Sequence, residues 1–134
     1  MILPLVLLLA SAAFGTPAAF TENLETQLSQ NPETLGTYVR QYFADEPILA
    51  DIAWCESRMR HLDKNGDILR GKVVPEDIGV MQINTRYHEK KAKELGIDLY
   101  SLNGNLAYAR YLYEKEGTKP WMASSPCWGR LAQK

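Results

Sequence analysis

The sequence predicts a mostly helical α+β domain with one small β-hairpin subdomain set between helices. Three features point that way. Apolar residues recur at helical spacing in separate stretches: Leu35, Val39 and Tyr42; Ile48 and Ile52; Leu102, Leu106, Ala109, Leu112 and Tyr113. Glycines stand where helices should stop, at Gly96 and Gly117. Between the helical stretches, Asn65-Gly66 is a two-residue turn signal, with Leu62 before it and Ile68, Leu69, Val73 and Val74 after it.

The elements follow in order. Ile2 to Phe14 (ILPLVLLLASAAF) carries no charge, and the small residues Gly15, Thr16, Ala18 and Ala19 come next. This reads as a secretory signal peptide over residues 1–19, cleaved after Ala18 or Ala19, although no Lys or Arg precedes the apolar core. An uncleaved anchor is the alternative, since Ile2 to Phe20 is about long enough to span a bilayer; Pro4 and Pro17 speak against it. Residues 20–45 form an N-terminal helical segment: Thr21 to Pro32 is polar, a short helix or loose leader, and Pro32 to Phe43 is a helix. The main domain covers residues 46–134. Asp45 offers an N-cap for a helix from about Glu46 to Arg58, with Pro47 in its first turn.

From His61 to Asp77 the pattern turns to irregular β. The string Asp63-Lys64-Asn65-Gly66-Asp67 lacks the glycine position and distal glutamate of a calcium-binding EF-hand loop, so a turn is the expectation. Ile78 to Ile83 is a mostly apolar run leading to Asn84-Thr85, which can cap a helix over about Arg86 to Leu95. A further helix covers about Ser101 to Glu116, and Pro120 to Trp128 reads as aromatic and irregular.

Composition excludes several functions. There are 15 basic and 16 acidic side chains, a net charge of −1, without the basic excess of a nucleic-acid binder. His61 and His88 are the only histidines and no cysteine pair has ligand spacing, so no metal site is expected. No G-x-S-x-G or phosphate loop is present and no cofactor is expected. The two cysteines, Cys55 and Cys127, permit one internal bridge, which an exported protein would retain; two buried thiols are the alternative. The chain is expected to be a monomer.

Glu56 is the candidate for chemistry. Ile48, Ile52 and Glu56 fall at i, i+4 and i+8, along one helix face that Leu49 and Ala53 widen. A carboxyl at the end of a buried stripe is partly desolvated, which raises its pKa and suits a general acid. Alternatively Glu56 simply ends the helix and pairs with Arg58 or Arg60.

Three strings tip the balance. Trp54-Cys55-Glu56-Ser57-Arg58 resembles the Glu-Ser motif of lytic transglycosylases in the lysozyme-like superfamily. Asp77-Ile78-Gly79-Val80-Met81-Gln82-Ile83-Asn84 resembles their Gly-Leu-Met-Gln-Ile motif, and Asn105 to Leu112 their third, a helix opened by Asn. Order and spacing agree from about Ile48 to Trp128. The resemblance implies a lysozyme-like fold, peptidoglycan glycan strands as substrate, and cleavage of the β-1,4 bond between N-acetylmuramic acid and N-acetylglucosamine. It implies Glu56 as catalytic acid and base, with a 1,6-anhydromuramoyl product. Chicken-type lysozymes are also similar around Asp77, which falls where their second catalytic carboxylate sits. A muramidase hydrolysing the same bond is therefore the alternative, and an inactive glycan-binding module a second. For substrate binding the resemblance and the motif positions select Gln82, Asn84, Tyr87, Tyr108 and Trp121, with Asn84 also a plain helix cap and Trp121 a wall behind the acid. The Tyr-Asn-Ala-Gly stretch of many lytic transglycosylases is missing after Gly117, which leaves Tyr108, Ser124 or Trp121 to contact the acid in its place.

Overall fold

Side-chain caps at the helix starts set the frame. The structure, a computed structural model, describes residues 24–134; the expected export segment lies outside them. A short helix over residues 24–29 (α1) precedes α2 (Pro32–Tyr42), α3 (Pro47–Ser57), β1 (Asp77–Ile78), β2 (Ile83–Asn84), α4 (Thr85–Glu94), α5 (Leu102–Glu116), a 3₁₀ segment (Lys119–Ser124) and α6 (Ser125–Leu131). Asn31, Asn84 and Ser101 each accept a backbone N–H from the first turn of the helix they open. Gly96 and Gly117 close α4 and α5 at φ +70° and +61°, conformations that disfavour any side chain. The mostly helical α+β class is as the periodicity predicts. Among the described residues no helix is long and apolar enough to cross a membrane.

Three local expectations are corrected. Asp45 does not cap α3: Glu46 holds that position without a side-chain bond, because Arg110 of α5 draws both carboxylates to itself, at 2.8 Å from Asp45 and 3.1 Å from Glu46. The turn at Asn65-Gly66 is not a two-residue hairpin. Asp63 Oδ1 accepts the N–H groups of Asn65 and Asp67, and Asp63 N–H bonds to Asp67 O, which makes a three-residue loop with Gly66 at φ +82°. It leaves only an isolated bridge between Leu62 and Ile68; the two-stranded ladder pairs Asp77 with Asn84 and Ile78 with Ile83 instead. Finally, the segment from Pro120 to Trp128 is helical: the 3₁₀ segment kinks at Trp121 and passes into α6, with Pro126 in the first turn where its missing N–H is harmless.

One core unites the elements. Leu35, Val39 and Phe43 from α2 and its end, Leu49, Ile52 and Ala53 from α3, and Leu102, Leu106 and Ala109 from α5 are all buried together with Ile78 to Met81 and Ile83. The division at residues 45 and 46 thus separates no second core. The expected bridge between Cys55 and Cys127 is formed, joining α3 to α6 across 72 residues of sequence. A loop of that length constrains the unfolded chain by about 2–4 kcal/mol.

Two buried polar side chains hold the β element against α5. Asn105, fully buried, donates to Ile78 O and Leu99 O and accepts Met81 N–H. His61, 2% exposed, accepts Val80 N–H at Nδ1 and faces Tyr100 O with Nε2, so the imidazole is neutral with its proton on Nε2. Gly79 lies between them at φ +72°, and a Cβ there would stand 2.6 Å from the Asn105 amide and 2.8 Å from the His61 ring.

Protonating His61 would set an N–H against the Val80 N–H. Burial lowers its pKa, with the Tyr100 carbonyl and the Glu25 and Asp98 carboxylates opposing. The stability His61 contributes is therefore present above about pH 6.5, the unfolded value, and is lost as the pH falls towards the folded one. Urea unfolding should have a lower midpoint at about pH 5 than at about pH 7. His61→Gln takes up no proton and should flatten that difference; an unchanged pH dependence would assign it to carboxylates instead.

Candidate active site

The face of α3 that builds the core also carries Glu56. Leu49, Ile52 and Ala53 are completely buried, and Glu56 lies one turn beyond Ile52, half-buried. The helix ends at once: Arg58 and Met59 both take positive φ, 56° and 57°, a strained pair for non-glycine residues. The turn carries the nearby cations elsewhere. The Arg58 guanidinium lies 5.0 Å from the centre of the Trp54 ring, and Arg60 Nε donates to Ser57 O at 3.1 Å. Among the described residues no ion pair involves Glu56.

The partner of Glu56 is a neutral hydroxyl: Ser124 Oγ donates to Oε1 at 2.5 Å. The Cys55–Cys127 bridge joins the residue before Glu56 to the third residue after Ser124, and so pins the two backbones together. Burial pushes the Glu56 carboxyl above its usual range; the Ser124 hydrogen bond opposes the rise, and the negative charge of Asp77 adds to it.

Asp77 reaches this neighbourhood from β1. Its Oδ1 accepts the amide of Asn84, directly opposite on β2, at 2.8 Å. The other end of Asn84 caps α4 through Tyr87 N–H. Asn84 is therefore a helix cap that also orients Asp77. Gln82, at φ +50°, turns back on its own loop, with Nε2 donating to Gly79 O at 2.9 Å. Its amide shapes the β1–β2 turn.

The aromatic candidates divide. Tyr87 is 74% exposed at the start of α4 and free to stack on a ligand. Tyr108 and Trp121 are corrections to the sequence expectation of direct binding, being 1% and 3% exposed. The Tyr108 hydroxyl is spent on His88 Nδ1 and its ring packs on His88 and Tyr111. Trp121 Nε1 donates to Met81 O. Trp121 is linked to Glu56 through its backbone, since its carbonyl accepts from Ser124, the residue bonded to the carboxyl. Of the three residues left to contact the acid, Ser124 makes the contact. Asn105 is a structural hub beside the site, and a polar residue within the stripe of Leu102, Leu106 and Ala109 is its signal in the sequence.

Hollows also occur elsewhere on the surface. A hollow of about 430 Å³ is lined by Arg40, Pro47, Ala50, Asp51, Trp54, Met59 and Leu131, away from Glu56. It offers no acid and base pair beside a shared reacting position. The chemistry of Glu56, Ser124 and Asp77 is the stronger guide. No family model, curated protein or solved structure matches this chain.

Because the Glu56 pKa is raised in the folded state, the stability linked to its protonation is complete below the unfolded carboxyl range and is lost as the pH rises through the folded value. Glu56→Gln keeps the size and still accepts from Ser124. It should melt a few degrees above the parent at about pH 7, with the gain vanishing near about pH 3 where the parent carboxyl is itself protonated. Calorimetry across this range measures the effect; equal melting temperatures throughout would mean that Glu56 carries no desolvation cost.

Proposed function

We propose that the protein is an exported peptidoglycan lytic transglycosylase on a lysozyme-like fold, with Glu56 as its acid and base. One observation carries this reading: Glu56 is a half-buried carboxyl, in no ion pair among the described residues, bonded to the Ser124 hydroxyl and raised in pKa, within the motif that resembles that family. A carboxyl so placed holds its proton to higher pH than a free one, which is the direction a general acid needs. The disulfide fits an oxidising compartment, in keeping with export.

In the proposed reaction Glu56 gives its proton to the glycosidic oxygen as the bond from C1 of the muramoyl residue breaks. The resulting carboxylate then takes the proton of the C6 hydroxyl as that oxygen bonds to C1. A 1,6-anhydro ring closes, Glu56 regains its proton and no water is consumed. Asp77 supplies negative charge near the oxocarbenium-like centre, and Tyr87 offers an exposed ring to a sugar face.

A second reading rests on Asp77. Its carboxylate acts on Glu56 through space, and two carboxylates with different environments are the equipment of a hydrolase. As a muramidase the protein would deliver water to C1 in place of the C6 hydroxyl.

Digestion of purified peptidoglycan separates the readings. Mass spectrometry should find anhydromuramoyl ends, about 18 mass units below the hydrated ends a muramidase leaves, as the loss of one water requires. Glu56→Gln should lower kcat by at least about a thousandfold, and Asp77→Asn by about tenfold to a hundredfold. Hydrated ends alone would replace the lyase by the muramidase. Parental turnover by Glu56→Gln would remove Glu56 as the acid of both readings, and a parent that cleaves nothing would leave an inactive glycan-binding module.

A further inference from the structure

We propose that Ser124 is a positioning residue that holds Glu56 in one orientation through both of its protonation states. The proposal rests on the reading of Glu56 as acid and base, since only a group that changes state during turnover needs such a partner.

The geometry is that of one hydroxyl between two acceptors. Ser124 Oγ lies 2.5 Å from Glu56 Oε1 and 3.1 Å from Trp121 O. A serine hydroxyl has one proton to donate and lone pairs with which to accept. With Glu56 ionised, that proton points at Oε1. With Glu56 protonated, the carboxyl donates to Ser124 Oγ, and the serine proton swings to Trp121 O. Both arrangements use the same heavy-atom positions, so the carboxyl need not turn as its proton leaves and returns.

Trp121 O makes the exchange possible. It already accepts Trp128 Nε1–H at 3.0 Å, so it is satisfied whether or not Ser124 donates to it. Trp121 is in turn held by its own Nε1–H on Met81 O at 3.0 Å. The serine sits at the junction of the 3₁₀ segment and α6, three residues before the disulfide that ties α6 to α3. A fixed ammonium or guanidinium at this place would favour only the ionised acid. A hydroxyl serves both forms.

The other charged groups around Glu56 cannot do this work. Asp77 on β1 is negative and only opposes ionisation. Arg58 and Arg60 at the end of α3 are engaged by Trp54 and Ser57 O. Arg130 on α6 bonds to Pro126 O, and Lys119 at the start of the 3₁₀ segment is exposed.

The test compares Ser124→Ala and Ser124→Thr by two measurements. The first is the pH dependence of kcat on peptidoglycan. The second is the titration of the Glu56 carboxyl carbon by NMR, which needs no turnover. Removing the hydroxyl takes a donor from the ionised form and an acceptor from the protonated one, and the bond to the charged form is the stronger, so in Ser124→Ala both the alkaline limb and the carboxyl titration should move to higher pH. kcat should fall about tenfold to a hundredfold with KM little changed, as misorientation of a reacting group costs. Ser124→Thr, which keeps a β-hydroxyl, should restore the limb, the titration and most of kcat. A Ser124→Ala protein that loses kcat while limb and titration stay put would overturn the proposal, leaving Ser124 a packing residue. So would failure of Thr to rescue a Glu56 titration that Ala has moved. If instead Glu56→Gln retains turnover, the reading of the site fails, and the NMR titration still decides whether Ser124 holds the carboxyl.

Discussion

The Asn105 side chain is the constraint on which the rest of the structure depends. It is an amide with no exposure to water, and its three bonds tie two parts of the chain together: Ile78 O and Met81 N–H at β1 and the turn after it, and Leu99 O before α5. A buried amide left unpaired costs on the order of 1–3 kcal/mol per group, so the turn has essentially one register in which Asn105 is satisfied. That register places Met81 O under Trp121 Nε1, and Trp121 O under Ser124, whose hydroxyl meets Glu56. A hydrogen-bonded path therefore runs from the first turn of α5 to the candidate acid. The same turn sets Asp77 opposite Asn84.

Helix α3 is framed from both ends. At its start Arg110 of α5 gathers Asp45, Glu46 and Tyr42 O, and stacks near the rings of Tyr42 and Phe43. At its end the disulfide joins it to α6. Between these anchors the apolar face packs on the core, and Glu56 projects just past the last sealed turn. Partial burial is thus a product of where α3 stops.

Much of this was legible in the sequence because it follows from local rules. The helical spacing of Leu35, Val39, Ile48, Ile52, Leu102 and Leu106, the caps Asn84 and Ser101, and the stops Gly96 and Gly117 state their own conformations. So did the position of Glu56 on the core face of α3. What stayed hidden depended on partners distant in sequence. Asp45 looks like a cap until Arg110, 65 residues later, draws it away. Asn65-Gly66 looks like a tight hairpin until Asp63 closes a wider loop. The tyrosine and tryptophan at 108 and 121 suit a sugar by residue type, and only packing shows both rings sealed inside. The segment after Pro120 reads as irregular because its helices are short and carry no side-chain caps, and the bond from Trp128 Nε1 to Trp121 O that ties them together leaves no local sequence signal.

The choice of a hydroxyl over a cation as the partner of Glu56 explains the odd geometry where α3 ends. A carboxyl near a helix C-terminus already meets the negative end of the helix dipole, which disfavours its charge. Arg58 and Arg60 follow within four residues and would cancel that effect if either folded back onto Glu56. Neither does. The left-handed backbone at Arg58 and Met59 turns the chain sharply, the guanidinium of Arg58 settles on the exposed Trp54 ring, and Arg60 bonds to the carbonyl of Ser57. Two consecutive left-handed non-glycine residues cost about 1–3 kcal/mol each. The exposed Trp54, itself a poor surface residue, gives Arg58 somewhere to go. The sharp turn and the exposed Trp54 ring together leave Glu56 without an ion pair to either arginine.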